Sequence, residues 1–301
     1  MGKVTRIMGD MDDVDALLEI LSVIKDVAMN RFFAFAQRKA NIQSFFDEFL
    51  SFFKLVQDVE TDCPLLRNDN PGVLILTIAS DMAFMSQLNS RVASLTIQQA
   101  QKYPGSTVTV LGRRCAERLK ILELKNIDRV FVADEFSDRY ALALAIRDHL
   151  VGQVLSGKVG KVLIVYLWAK SFSIIKPRIL TLLPASELVR TGGGDLTEGE
   201  GASQEDETSA DSEDKTNFIM EAEPAQMMRA LADIWIHSRL FEILSDILLV
   251  EFAVQAQQLE SALESLGSER KSLLVSFRKA GRDELNKSMR EVFTQTNVSR
   301  R

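Results

Sequence analysis

Residues 225–266 read AQMMRALADIWIHSRLFEILSDILLVEFAVQAQQLESALESL, with neither glycine nor proline, so nothing in the stretch must break a helix. Its apolar residues Ile236, Leu240, Ile243, Ile247, Val250 and Val254 advance by alternating threes and fours, and the pattern resumes at Leu266, Leu273, Phe277, Met289 and Val292. Such steps are those of a coiled-coil seam. A helix from about Pro224 to Gln295 is expected; at ~1.5 Å per residue it extends ~105 Å, against a mean globular helix of ~11–12 residues. The other end of the chain mirrors it. Glycine is absent from Asp10 to Pro71, all six prolines fall between Pro64 and Pro224, and Leu17, Leu21, Ile24, Ala28, then Ile42, Phe46, Phe49, Phe53 and Val56 step in the same way. That predicts a helix of roughly 45–50 residues, and two terminal helices wound on each other for part of their length.

Between the two ends the period changes. Strands are predicted at Val73–Ala79, Thr107–Leu111, Val130–Val132 and Lys161–Tyr166, with helices over Met82–Lys102, near Arg114–Leu124 and over Ser137–Val154. Continuous apolar strands separated by helices imply a mostly parallel sheet covered on both faces, and Ile174–Leu183 is expected to add an edge strand. The fold class is therefore α/β plus long helices: an antiparallel coiled coil of the chain ends with an inserted Rossmann-like sheet domain. The expected division is 1–63 for the first helix, 72–186 for the α/β domain, 187–217 for a linker and 218–301 for the last helix.

Composition narrows the function. The chain of 301 residues carries a net charge of −6, but Thr191–Asp214 alone holds nine acids and no base, leaving 33 acids against 36 bases elsewhere. The tract has almost nothing to bury and reads as a solvated linker. The slight positive balance of the rest suits acidic partners and is too weak to argue for nucleic acid. No apolar run approaches the ~18 residues of a membrane span. Acids at Asp10, Asp12 and Asp13 stand where a signal peptide is apolar. Cys63 and Cys115 are too few for a disulfide framework and are expected to be reduced thiols in a cytoplasmic-type compartment.

Each chemical motif has a blander reading that fits better. Gly152–Lys158 spells G-x-x-x-x-G-K, yet Val159 replaces the magnesium-binding hydroxyl, and the segment runs from helix to strand, the reverse of a phosphate loop. The turn after the first strand, Ser80–Met85, lacks the glycine that would let backbone approach a pyrophosphate. No cofactor is expected. His149 and His237 lie on different elements without other ligands nearby, which gives metal binding little support. Cys115 follows Arg113 and Arg114 but has no base beside it and reads as a passive thiol. Asp134 and Glu135 are expected to cap the next helix. The phenylalanines Phe32, Phe33, Phe35, Phe45, Phe46, Phe49, Phe52 and Phe53 read as core or as a stripe for a partner.

The order long helix, small α/β domain, longer helix resembles the gamma subunit of F-type ATP synthases, and four stretches carry the likeness. Ile24-Lys25-Asp26-Val27-Ala28-Met29-Asn30-Arg31 looks like M-K-M-V-A-A-S-K of that family's first helix. Ser80-Asp81 followed by Gln87-Leu88-Asn89-Ser90 is similar to S-D-R-G-L-C-G-x-x-N, with the glycines replaced in Met82–Ser86. Phe218-Ile219-Met220-Glu221 with Glu223-Pro224 resembles Y-x-x-E-P, and Phe277-Arg278-Lys279-Ala280 with Leu285, Met289, Glu291 and Val292 looks like Y-N-x-A-R-Q-A-x-I-T-x-E-I-x-E-I.

The resemblance implies a non-catalytic central-stalk rotor that couples ion-driven rotation of a membrane ring to nucleotide turnover on a hexamer of catalytic and non-catalytic nucleotide-binding subunits. It also implies an epsilon-type stalk subunit as partner, and a peripheral location on the cytoplasmic face of an energy-transducing membrane. By position in the matching motifs, the residues expected to touch the hexamer are Ile24, Lys25, Arg31, Arg282, Asn286 and Glu291. The rival readings are a coiled-coil scaffold or adaptor, which leaves the motif order unexplained, and an α/β enzyme with helical extensions.

Overall fold

The computed structural model describes residues 2–56, 63–133, 138–185 and 223–298, and the side chains of all of these except 38–56, 224–225 and 294–298. The expected linker 187–217 lies outside the described residues, as do the side chains of the phenylalanines from Phe45 to Phe53. The chain divides into two compact units: Met1–Arg31 with Phe252–Arg301, and Phe32–Glu251. Helix α1, Lys3–Val56, and the last helix, α5, Pro224–Val298, each contribute to both, and run unbroken for 54 and 75 residues.

The second unit is built on five strands: β1 Val73–Ile78, β2 Thr107–Leu111, β3 Ile127–Phe131, β4 Lys161–Ala169 and β5 Ile175–Leu183. Their order is β3-β2-β1-β4-β5. The first four are parallel and β5 pairs antiparallel with β4 at the edge. This is the mostly parallel, Rossmann-like sheet expected, with β3 beginning earlier than the apolar triplet Val130–Val132 suggested. Connections run through α2 Ser86–Lys102, α3 Arg113–Ile121 and α4 Arg139–Leu155.

Two-residue alternation in the strands decides the layers. Leu74, Leu76, Ile78, Val162, Ile164 and Tyr166 form one core with Ile146, Leu150 and Val154 of α4 and Met228, Ala232, Trp235, Ile236, Leu240, Ile243 and Leu244 of α5. Arg147 of α4 and Asp233 of α5 add an ion pair of 3.7 Å beside that layer. On the opposite pleat Thr77 meets Thr96 of α2 through a buried hydroxyl pair 2.9 Å apart. Burial on both faces is why β1 and β4 read as unbroken apolar runs. It also corrects the seam assigned to Ile236–Ile247: those residues are buried, but against a sheet, which takes a face wider than a coiled-coil stripe.

The Gly152–Lys158 segment is the turn from α4 into β4. Ser156 closes the helix and Gly157 takes a left-handed φ of 72°, where glycine has no steric penalty. The cap of α4 is Asp138, whose carboxylate accepts from Tyr140 N at 2.9 Å, and not Asp134 or Glu135, which lie outside the described residues.

Candidate partner-contact surface

In the first unit α1 and α5 run antiparallel. A side chain at Gly2 would meet Glu284, Asp15 pairs with Arg270, and the Arg31 guanidinium lies 5.9 Å from the Phe252 ring centroid. As α1 ascends, its neighbours on α5 descend.

The residues of α1 that bury or half-bury step as Ile7, Met11, Val14, Leu18, Leu21, Lys25, Ala28 and Phe32. This corrects the expected ladder. Leu21 and Ala28 belong to it, but Leu17 is 48% and Ile24 40% exposed. Facing solvent with them are Ile20, Val23 and Val27, so α1 carries two apolar stripes and only one meets α5. The facing ladder on α5 is Phe252, Ala256, Leu259, Leu263, Leu266, Leu273, Phe277 and Ala280, all buried or half-buried. Met289 and Val292, read from sequence as seam, are 53% and 59% exposed. From Arg282 to Phe293 every residue of α5 is exposed.

The six residues expected to touch a partner fall into two groups. Ile24, Lys25 and Arg31 lie toward Phe252; Arg282, Asn286 and Glu291 lie around and beyond Glu284. At ~1.5 Å per residue the groups are separated by about 40 Å of helix. Five of the six are exposed, and Lys25 is half-buried because it occupies a seam position. Glu291 has Lys287 one turn away at 4.0 Å. The pair Asp15–Arg270 was not legible in the sequence; its one signal is a charge, Arg270, where the apolar ladder from Leu266 to Leu273 leaves a gap.

The motif Ser80-Asp81 with Asn89 has a structural role. Asp81 accepts from the backbone N–H groups of both Arg113 and Arg114 at 2.9 Å. Its carboxylate thus occupies the N-terminus of α3, the position an anionic ligand would take in a nucleotide fold. Asn89 Nδ2 donates to Ser80 O at 2.6 Å and Ser80 Oγ accepts from Met82 N at 3.1 Å, pinning the loop. Gly112 completes the latch: its φ is 112°, and a Cβ there would stand 2.8 Å from Ala79 O. Burial, and then the charge of Asp81, push the Cys115 thiol up to about 12, which makes it a passive group.

His149 Nε2 lies 3.2 Å from both Thr109 Oγ1 and Asp128 Oδ2, yet burial holds its pKa below the ordinary histidine value, with Asp128 opposing and Arg129 assisting. His237 on α5 meets Tyr140 edge to face, ring centroids 4.6 Å apart. Among the described residues no group of His, Cys, Asp and Glu could hold a metal ion, and no helix is long and apolar enough to cross a membrane.

Comparison with known proteins closes the case. The family model described as ATP synthase matches residues 4–294. The ATP synthase gamma chain of Nostoc sp. is 26% identical over 245 residues, covering 77% of this chain and 78% of the relative. That of Synechococcus elongatus is 24% identical over 280 residues, covering 86% and 83%. Among solved structures, a chain of the Euglena gracilis mitochondrial ATP synthase, from its OSCP/F1/c-ring assembly, superposes with a TM-score of 0.60 at 14% identity, covering 98% of this chain and 94% of that one. A chain of the Tetrahymena thermophila mitochondrial central stalk and c-ring gives 0.52 at 16%, covering 81% and 99%. This chain belongs to the ATP synthase family, as a gamma chain, the non-catalytic subunit of the central stalk.

Proposed function

We propose that the α1–α5 coil of the first unit is the shaft that turns inside a ring of catalytic and non-catalytic nucleotide-binding subunits, and that the α/β domain, residues 72–186, sits beside an epsilon-type subunit and the membrane rotor ring. The acidic stretch 187–217 links that domain to the last segment, and the terminal segments 1–63 and 218–301, which carry α1 and α5, supply the shaft. The working side is the cytoplasmic face of the membrane.

The observation that supports this reading is the second apolar stripe of α1, Leu17, Ile20, Val23, Ile24 and Val27, left exposed on a helix already packed on α5. Exposed apolar side chains at helical spacing suit a protein surface sliding past, since burial against another subunit recovers ~25 cal/mol per Å² of apolar area. The exposed Leu285, Met289 and Phe293 of α5 offer a second apolar contact. Lys25, Arg31, Arg282 and Glu291 flank these stripes and would set charge contacts that change with rotation, with Asn286 adding a neutral hydrogen-bonding group. An asymmetric shaft presents a different face to each catalytic subunit in turn. Nucleotide affinity then follows the angle, with the chemistry on the partners.

The test is charge reversal in the reconstituted assembly. Lys25→Glu and Arg282→Glu should each lower ion pumping per ATP hydrolysed, while Arg282→Glu, at an exposed position, leaves the isolated chain's stability within about 0.5 kcal/mol. Unchanged coupling in both variants would remove these residues from the contact surface.

A further inference from the structure

We propose that the Asp15–Arg270 pair is a register lock for the antiparallel helices of the first unit, with Arg270 as a positioning residue. The α5 ladder Phe252, Ala256, Leu259, Leu263, Leu266, Leu273, Phe277 and Ala280 steps by threes and fours without a polar residue except at one place. The step between Leu266 and Leu273 lands on Arg270. A charge at a seam position gives up apolar packing; what a single polar seam residue supplies in return is specificity of register and orientation.

The geometry suits that role. The guanidinium engages the carboxylate as a fork, with Nε donating to Asp15 Oδ1 and Nη2 donating to Asp15 Oδ2 at 3.0 Å. A two-point contact fixes direction as well as distance. The two side chains remain 48% and 44% exposed, and an ion pair in that environment adds little stability. Its value lies in discriminating between registers.

Without the pair the seam repeats every seven residues. Sliding α1 by one heptad, about 10 Å, again sets apolar residues against apolar residues at every α1 seam position except Lys25, whose aliphatic stem is tolerated there. The position facing Arg270 then becomes Met8 or Ser22, and neither offers a carboxylate. The slipped registers lose the fork and leave a guanidinium in the seam without its partner. Ala256, Ala280 and Gly267 lie along this stretch of α5, and such small side chains interlock weakly, so the seam alone resists sliding poorly. The mechanical consequence rests on the rotor reading: torque on two antiparallel helices loads them in shear, and a shaft that slips a heptad stores the turn instead of passing it on.

The experiment measures register in the full chain. On a Cys63→Ala, Cys115→Ala background, spin labels are placed at the exposed positions Asp10 on α1 and Glu260 on α5, whose axial offset turns a slide into a change of distance. The native pair should give a single narrow distance distribution. Arg270→Leu, which restores an apolar ladder, should add a population displaced by about 10 Å, and the exchange Asp15→Arg with Arg270→Asp should return the narrow one. If Arg270→Leu does not fold, Asp15→Asn, which keeps the shape and removes the charge, is expected to show the same second population. A single narrow distribution in the folded Arg270→Leu or Asp15→Asn chain overturns the lock, as does an exchange variant no narrower than Arg270→Asp alone. The measurement needs no partner subunit. A chain that never assembles with nucleotide-binding subunits sinks the rotor reading and leaves the lock standing, whereas a native register kept without the pair does the reverse.

Discussion

Residues 232–250 and residues 259–280 belong to the same helix, α5, yet they are buried in different ways. The first stretch packs on a sheet and sinks Ala232, Ile236, Leu240, Ile243, Leu244 and Ile247 into one core, with Leu248, Leu249 and Val250 also buried. The second packs on another helix and buries or half-buries a narrow stripe, one or two residues per turn, such as Ala262 with Leu263 and Leu273 with Leu274. The partner sets the width. A sheet is broad and flat enough to cover more than a third of a helix's circumference, whereas a helix covers only the residues that mesh with its own ridge. One unit therefore draws its stability from volume buried, and the other keeps most of its surface free for contacts that come and go.

The largest effect that tests this contrast is truncation in the wide face. Leu240→Ala should cost about 3 kcal/mol, the usual result of emptying a fully buried leucine site, while Leu17→Ala on the exposed stripe should change stability by less than about 0.5 kcal/mol. Urea denaturation of the isolated chain reads both, and equal losses would mean that Leu17 is core after all. The next effect concerns the latch at α3. Gly112→Ala forces a Cβ against Ala79 O in a left-handed backbone and should cost about 2 kcal/mol, lowering the melting temperature. A neutral result would show that the β1 and β2 ends separate easily. The smallest effect is on pH. His149 has its folded pKa depressed by burial, so as pH falls below about 6.5 the unfolded chain takes up the proton first and stability declines until the folded pKa is reached. His149→Gln should flatten that part of the stability profile, and should leave ion pumping per ATP unchanged at neutral pH. A slope that survives the substitution belongs to another group, such as His237, which burial and Arg147 hold below its ordinary value.

Much of the candidate surface was legible from residue types and much was not. The fall in apolar density along α5 from Ile236–Val254 to the residues after it marks where the partner changes, and Ile24, Arg282, Asn286 and Glu291, singled out by their place in family motifs, are exposed. The seam of α1 was misread because two ladders share Leu21 and Ala28. One continues through Leu17 and Ile24, the other through Leu18 and Lys25. Local pattern favours isoleucine over lysine. Packing chose the ladder with lysine, which a long aliphatic stem makes tolerable at a seam.

By itself the sequence determined the elements, since these follow from the spacing of apolar residues and from where glycine and proline fall. It also determined the family, because motif order survives even where individual residues diverge. Tertiary structure alone decided which of two apolar stripes on α1 is buried, that Asp81 fills the N-terminus of α3, and that Asp15 finds Arg270 across 255 residues of sequence. Each of these depends on which surfaces meet, and a helix with two apolar faces has no local preference between them until its partner arrives.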